Sequence, residues 1–269
     1  MMDTLFQMRG RLTRSLSTVL FASLAATPAL ADIWDVAGDA TAGATGNVLW
    51  HTAPAQRHDL ANSGGTPDQD WFKIFPRANR SYEVQVVNVT VSMAAGFGVS
   101  RRDAGGGVLL EASSALDPLG TTRALRWING VSDSEERVQV VGTGASTSSA
   151  QYDIQLRETT LFCPRYNNAG TQVSVLIVQR ASTETGAGPC QANAFFYDEA
   201  ATLIAMYPQP LTLNDMSAVA APSIGGLPGT KGALHIAHTC GVGGLKGKLV
   251  ALEPSTGFSF DTPCTERDR

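Results

Sequence analysis

Apolar and polar residues alternate with a period of two along most of the chain. In Ser81-Tyr82-Glu83-Val84-Gln85-Val86-Val87-Asn88-Val89-Thr90, Tyr82, Val84 and Val86 fall on one side and Glu83 and Gln85 on the other. That is the pattern of a strand with one buried face. Gln151-Tyr152-Asp153-Ile154-Gln155-Leu156 repeats it. Further strands are predicted at 71–75, Val108-Leu109-Leu110-Glu111, 123–128 and 137–141, with shorter ones at Asn47-Val48-Leu49-Trp50 and His58-Asp59-Leu60. After Thr159 the pattern predicts Leu161-Phe162-Cys163, 173–179, 192–197, 203–207, Leu211-Thr212-Leu213, 218–221, 233–238, 247–252 and Phe258-Ser259-Phe260. Leu203-Ile204-Ala205-Met206 also reads as a short helix. Gly-rich turns separate the strands, among them Asp103-Ala104-Gly105-Gly106-Gly107, Asn129-Gly130 and Gly241-Val242-Gly243-Gly244. Many short strands joined by such turns predict an all-β chain of two packed β-sandwiches. The first covers 32–158 and the second 159–269. No linker separates them at Glu158-Thr159, so the two units are expected to pack together.

The first thirty-one residues break this pattern. Arg9, Arg11 and Arg14 precede an apolar run over 16–24, and Ala29-Leu30-Ala31 follows. These are the three parts of a cleavable secretory signal, with cleavage expected between Ala31 and Asp32. The run is shorter than the ~20 apolar residues of a membrane span, and no later stretch is long and apolar enough for one. A secreted or periplasmic location is expected. Cleavage removes three arginines and one aspartate, so the remainder is more acidic than the formal −4 of the whole chain. Its basic residues are scattered, which excludes the clustered Lys/Arg surface that nucleic acid requires.

There are four cysteines: Cys163, Cys190, Cys240 and Cys264. An even number in an exported chain reads as disulfides. The expected pairing is Cys163–Cys264 and Cys190–Cys240. Cys163 ends the first strand of the second unit and Cys264 follows its last, and domain termini often lie close together. Cys190 precedes one strand and Cys240 follows another, so antiparallel pairing of those strands brings them within disulfide reach. The competing pairings are Cys163–Cys190 with Cys240–Cys264, and Cys163–Cys240 with Cys190–Cys264.

Candidate chemistry is sparse. His235 and His238 lie three apart on a predicted strand, on opposite faces, where they cannot chelate a metal together. Neither a G-x-S-x-G elbow nor an H-E-x-x-H motif is present, and Asn62-Ser63-Gly64-Gly65 with His58 is only a faint hydrolase pattern. No enzyme activity and no cofactor are expected. Asp68 and Asp70, two apart at a strand start, carry the hard oxygens that calcium takes. The competing role for both is to cap the strand. Trp34, Trp50, Trp71 and Trp127 at strand positions read as core rather than as a row for stacking sugars.

Asp68-Gln69-Asp70-Trp71-Phe72-Lys73-Ile74, Tyr82-Glu83-Val84 and Tyr152-Asp153-Ile154-Gln155-Leu156 together resemble the bacterial pre-peptidase C-terminal domain over roughly 35–158. The resemblance implies a jelly-roll-like or Ig-like sandwich that accompanies secreted enzymes or surface proteins without doing chemistry. It also strengthens the calcium reading of Asp68 and Asp70. Phe162-Cys163-Pro164-Arg165-Tyr166-Asn167-Asn168 and Gly257-Phe258-Ser259-Phe260-Asp261 resemble a sandwich module of uncharacterised exported bacterial proteins. The resulting expectation is a non-catalytic binding, adhesion or scaffold module of the cell envelope, whose partner is a protein or an envelope polysaccharide. The alternative is an accessory or inhibitor-like partner of a secreted hydrolase.

Overall fold

A period-two strand buries one face only when a second layer covers it. In the computed structural model, which describes residues 41–60, 68–88, 97–112, 122–142, 151–180, 189–212 and 215–266, two four-stranded sheets do this for the first half. One sheet runs β1 (Gln56–Asp59), β8 (Gln151–Glu158), β3 (Ser81–Asn88), β6 (Thr122–Ile128). The other runs β2 (Gln69–Ile74), β7 (Glu136–Gly142), β4 (Phe97–Arg102), β5 (Leu109–Ala112). Antiparallel register lines up Leu125, Val84 and Leu156 in the first sheet and Phe72 with Val138 in the second. These rows belong to one core. The expected strand at Asn47 to Trp50 is reduced to one parallel bridge, Val48 to Lys73. A turn starts at Trp50, whose carbonyl accepts the Ala53 N–H at 3.0 Å, and stops the pairing.

The second half is one eight-stranded antiparallel sheet folded on itself into a near-barrel. Its order is β12 (Leu203–Leu211), β11 (Cys190–Asp198), β14 (Lys231–His238), β9 (Leu161–Asn167), β16 (Phe258–Glu266), β15 (Leu245–Glu253), β10 (Val173–Arg180), β13 (Met216–Ala220). Among the described residues its two halves share strand pairing only where Phe162 and Leu161 of β9 pair with Thr265 and Glu266 of β16. Cys163–Cys264 bridges the strands beside that joint, and Cys190–Cys240 ties β11 to the end of β14. Both bridges are the expected ones. The antiparallel register of Ala192 with His238 brings Cys190 and Cys240 together as anticipated. The folded sheet encloses a separate core that includes Leu176, Phe196, Ile236 and Leu249.

One expectation needs correction. The break predicted after 207 is absent, and β12 runs without interruption over Leu203–Leu211; Leu213 lies outside the described residues. Pro208 and Pro210 interrupt the sequence pattern, yet β12 is an edge strand paired only with β11, where missing N–H groups on the open side are tolerated. Residues 203–206 are strand, as the first reading of the pattern has it, because they pair along β11. Among the described residues no helix is long and apolar enough to cross a membrane. The signal sequence over 1–31, Trp34 and Ser63 lie outside the described residues.

All these strands fall in one compact unit, Ala31–Arg269. Thr159 and Thr160, between β8 and β9, are both buried. The Thr159 N–H donates to the Ser81 carbonyl, and the Ser81 N–H donates to the Thr160 hydroxyl, each at 2.9 Å. Glu83 of β3 is buried, and its Oε2 accepts from Arg126 Nε at 2.9 Å and from the Val242 N–H at 3.0 Å. Breaking a fully buried ion pair costs several kcal/mol. Arg126 keeps a side-chain exposure of 23%, so Glu83→Gln is expected to cost about 2 kcal/mol. Urea unfolding checks this, and an unchanged midpoint would refute it.

Candidate functional site

A hollow of about 800 Å³ lies where the sandwich meets the outer face of the folded sheet. Its position follows from β14. From Leu234 to His238 this strand is buried at every residue, because the core covers one face and the sandwich covers the other. Phe162 of β9, Phe195 and Tyr197 of β11, and His235 of β14 form an aromatic cluster on the outer face, with ring centroids 5.0 to 6.0 Å from the imidazole. The His235 Nε2 sits 2.8 Å from the Asn79 carbonyl. A carbonyl only accepts, so this nitrogen carries the proton and the ring braces the two layers.

Local backbone features open the hollow. Cys163 pairs with Leu234 and Tyr166 with Gly232, so Pro164 and Arg165 together oppose Ala233. That is a bulge. It admits Pro164 to a strand between two others and leaves Arg165 exposed at the rim. A Cβ at Gly232 would lie 1.9 Å from the Tyr197 carbonyl oxygen, which only glycine allows. The turn between β11 and β12 forms another wall, where Asp198 Oδ1 accepts the Ala200 and Thr202 N–H groups at 2.9 and 2.8 Å.

Charge is unevenly satisfied here. The Arg80 guanidinium lies 4.3 Å from the Phe162 ring centre and 3.4 Å from Glu158. Glu199 pairs with Lys231 at 3.1 Å. Among the described residues Arg165 carries no ion pair. The site can therefore offer ring surface and a guanidinium to a ligand with an apolar face and an anionic group.

The residues singled out from sequence go elsewhere. His58 is buried in the sandwich core against Phe72 and Tyr152. His238 is buried at the end of β14, with its Nδ1 accepting the Cys240 N–H at 3.2 Å. Asp70 points into the sandwich and accepts the Tyr152 hydroxyl, so two positions of the resembled motif meet in space. Asp68 Oδ1 accepts the Gln69 N–H at 2.9 Å, as a capping residue does. Calcium takes six to eight oxygens. Among the described residues no group of three or more His, Cys, Asp or Glu gathers to hold a metal. Trp71 and Trp127 are core residues as expected, whereas Trp50 is 54% exposed.

The residues that line the hollow were mostly visible only as something else. Arg80 falls in an Asn-x-Ser triplet, Pro164-Arg165 opens the second unit, and Asp198 looks like an ordinary turn. Pro164, directly after the predicted strand Leu161-Phe162-Cys163, is the one signal that points to the bulge.

No family model matches the chain, and no curated protein does. Among solved structures it is similar to the pre-peptidase C-terminal domain of a Bacillus anthracis collagenase, at 9% identity and a TM-score of 0.31, covering 41% of this chain and 93% of that one. It is also similar to a glycosyl hydrolase family 2 member from Bacteroides cellulosilyticus, at 11% identity and a TM-score of 0.22, covering 72% of this chain and 29% of that one. A fucolectin from striped bass serum matches at 7% identity and a TM-score of 0.23, covering 72% of this chain and 82% of that one. These likenesses are too slight to carry a role over to this chain.

Proposed function

We propose that this chain is an exported, non-catalytic binding module of the cell envelope, and that the junction hollow holds a carboxylate-bearing sugar of an envelope polysaccharide. The observation that carries the reading is Arg165, a guanidinium without an ion pair among the described residues, which lines the hollow together with the Phe162 and Tyr197 rings. A sugar ring lays its C–H face on an aromatic surface, and a guanidinium matches a carboxylate with two parallel hydrogen bonds. The non-catalytic part is supported by the absence of a recognisable nucleophile–base motif in the sequence, and by His235, whose Nε2 is taken up in bracing the layers through the Asn79 carbonyl. The two disulfides fit an oxidising compartment.

Calorimetric titration with digalacturonate tests this, with a neutral glucan disaccharide as control. Wild type is expected to bind the uronate and not the glucan. Arg165→Ala, at an exposed position, is expected to weaken binding roughly tenfold with the melting temperature unchanged. Absence of binding, or equal binding by the variant, overturns the reading. A secreted hydrolase captured in place of glycan would favour the accessory-partner role instead.

A further inference from the structure

A second hollow, of about 420 Å³, is lined by Arg77, the chain neighbour of Ala78 in the first. Trp50 and Phe75 form its exposed floor, stacked with ring centroids 5.5 Å apart and planes at 23°. Two large rings, 54% and 40% exposed, are held against each other at the surface instead of in the core. Their positions are fixed from behind. Leu49 is buried, and the Val48–Lys73 bridge ties the arm carrying Trp50 to β2, which ends just before Phe75.

The two hollows share a wall. Arg77 lines the second, and Ala78 and Arg80 line the first. Residues 75–80 span at most about 17 Å when extended. The Arg77 N–H donates to the Tyr82 hydroxyl at 2.9 Å. Glu158 spans the wall, 3.4 Å from Arg80 on one side and 3.9 Å from His51 on the other. The polar chemistry also repeats. In the second hollow Glu135 pairs with Arg137 at 2.8 Å, and Asp133 accepts the Ala78 N–H at 2.7 Å. Among the described residues Arg77, like Arg165, carries no ion pair. Each hollow thus joins aromatic surface to one guanidinium open to an anion.

We infer that the two hollows are adjacent subsites of one elongated site, which takes a polymer of repeating carboxylate-bearing sugars with one unit on Phe162, Tyr197 and Arg165 and a later unit on Trp50, Phe75 and Arg77. This rests on the function proposed above and adds a length requirement to it. Linking two weak contacts in one ligand raises overall affinity without any new contact at either end.

Titrations with digalacturonate and decagalacturonate, each against wild type, Trp50→Ala and Arg77→Ala, test the inference. Wild type is expected to bind the decamer at least tenfold more tightly than the dimer, counted per binding chain. Each variant is expected to lose most of that gain while keeping wild-type affinity for the dimer and an unchanged melting temperature, since both side chains are exposed. Equal affinity for the two lengths, or a decamer affinity untouched by both variants, overturns the shared site and leaves the first hollow standing. Failure of wild type to bind either length overturns both readings.

Discussion

Replacing Cys163 and Cys264 together by alanine is expected to lower the unfolding free energy by about 4–5 kcal/mol. The bridge closes a loop of sequence separation 101, and the chain-entropy account assigns about 4.7 kcal/mol to a loop of that size. Its position adds a structural consequence. β9 and β16 share only two register pairs, so the bridge is the main tie where the eight-stranded sheet folds over. The Cys190–Cys240 loop, at a separation of 50, is worth about 4 kcal/mol on the same account. It clips two strands that already pair along their length. Urea unfolding under non-reducing conditions checks both. The first double variant is also expected to lose the cooperativity of the second half, whereas the Cys190→Ala, Cys240→Ala pair lowers the midpoint and keeps a single transition. A midpoint unchanged in the first variant would refute the account. A non-reduced peptide joining Cys163 to Cys190 would overturn the pairing itself.

Acidification from pH 7 to pH 4 is expected to destabilise the fold by about 3 kcal/mol through His238 alone. Only 1% exposed, this imidazole is held near pKa 4, below the ordinary 6.5, first by burial and then by the positive charge of Arg126; the Thr159 backbone opposes them. The folded state thus prefers the neutral ring, while the unfolded chain takes up a proton near 6.5. Stability is full above pH 6.5, falls as pH drops toward 4, and changes no further through this residue below that. His238→Asn is the matched control. Its side-chain oxygen can accept the Cys240 N–H that His238 Nδ1 accepts, and it does not titrate. Melting temperatures across this range should fall more steeply for wild type than for the variant. Parallel profiles would show that His238 is not the group responsible. Because the ring lies against Thr159 and Arg126, amide exchange should locate the acid loosening at 159–160 and 238–242.

Most strands of the first half were legible because alternation is a local property, although β4 was not among those predicted. Tyr82, Val84 and Val86 must share a face whatever lies opposite, and their burial follows once any second layer exists. The disulfides were legible for a related reason. Cys190 and Cys240 sit at the two ends of strands whose antiparallel pairing decides their proximity. Asp70 shows the limit. Its place two residues from Asp68 was plain, but its inward turn onto Tyr152, 82 positions later, depends on the opposite sheet. β12 shows another limit, since Pro208 and Pro210 break a strand in the interior of a sheet but not at its edge, and edge position is a matter of strand order.

By itself, then, the sequence determined an all-β chain, the inward face of most strands and the ends that its cysteines could join, because each depends on spacings along one or two strands. Only the tertiary structure decided that β9 to β16 make one folded sheet, that β14 is covered on both faces, and that a hollow opens beside it. That hollow brings together Arg80, Phe162, Arg165, Tyr197 and His235, and the brace beneath it joins residues 156 positions apart. Contacts at such separations are set by strand order, by a bulge that re-aims one arginine and by the packing of two layers, none of which leaves a periodic trace in the chain.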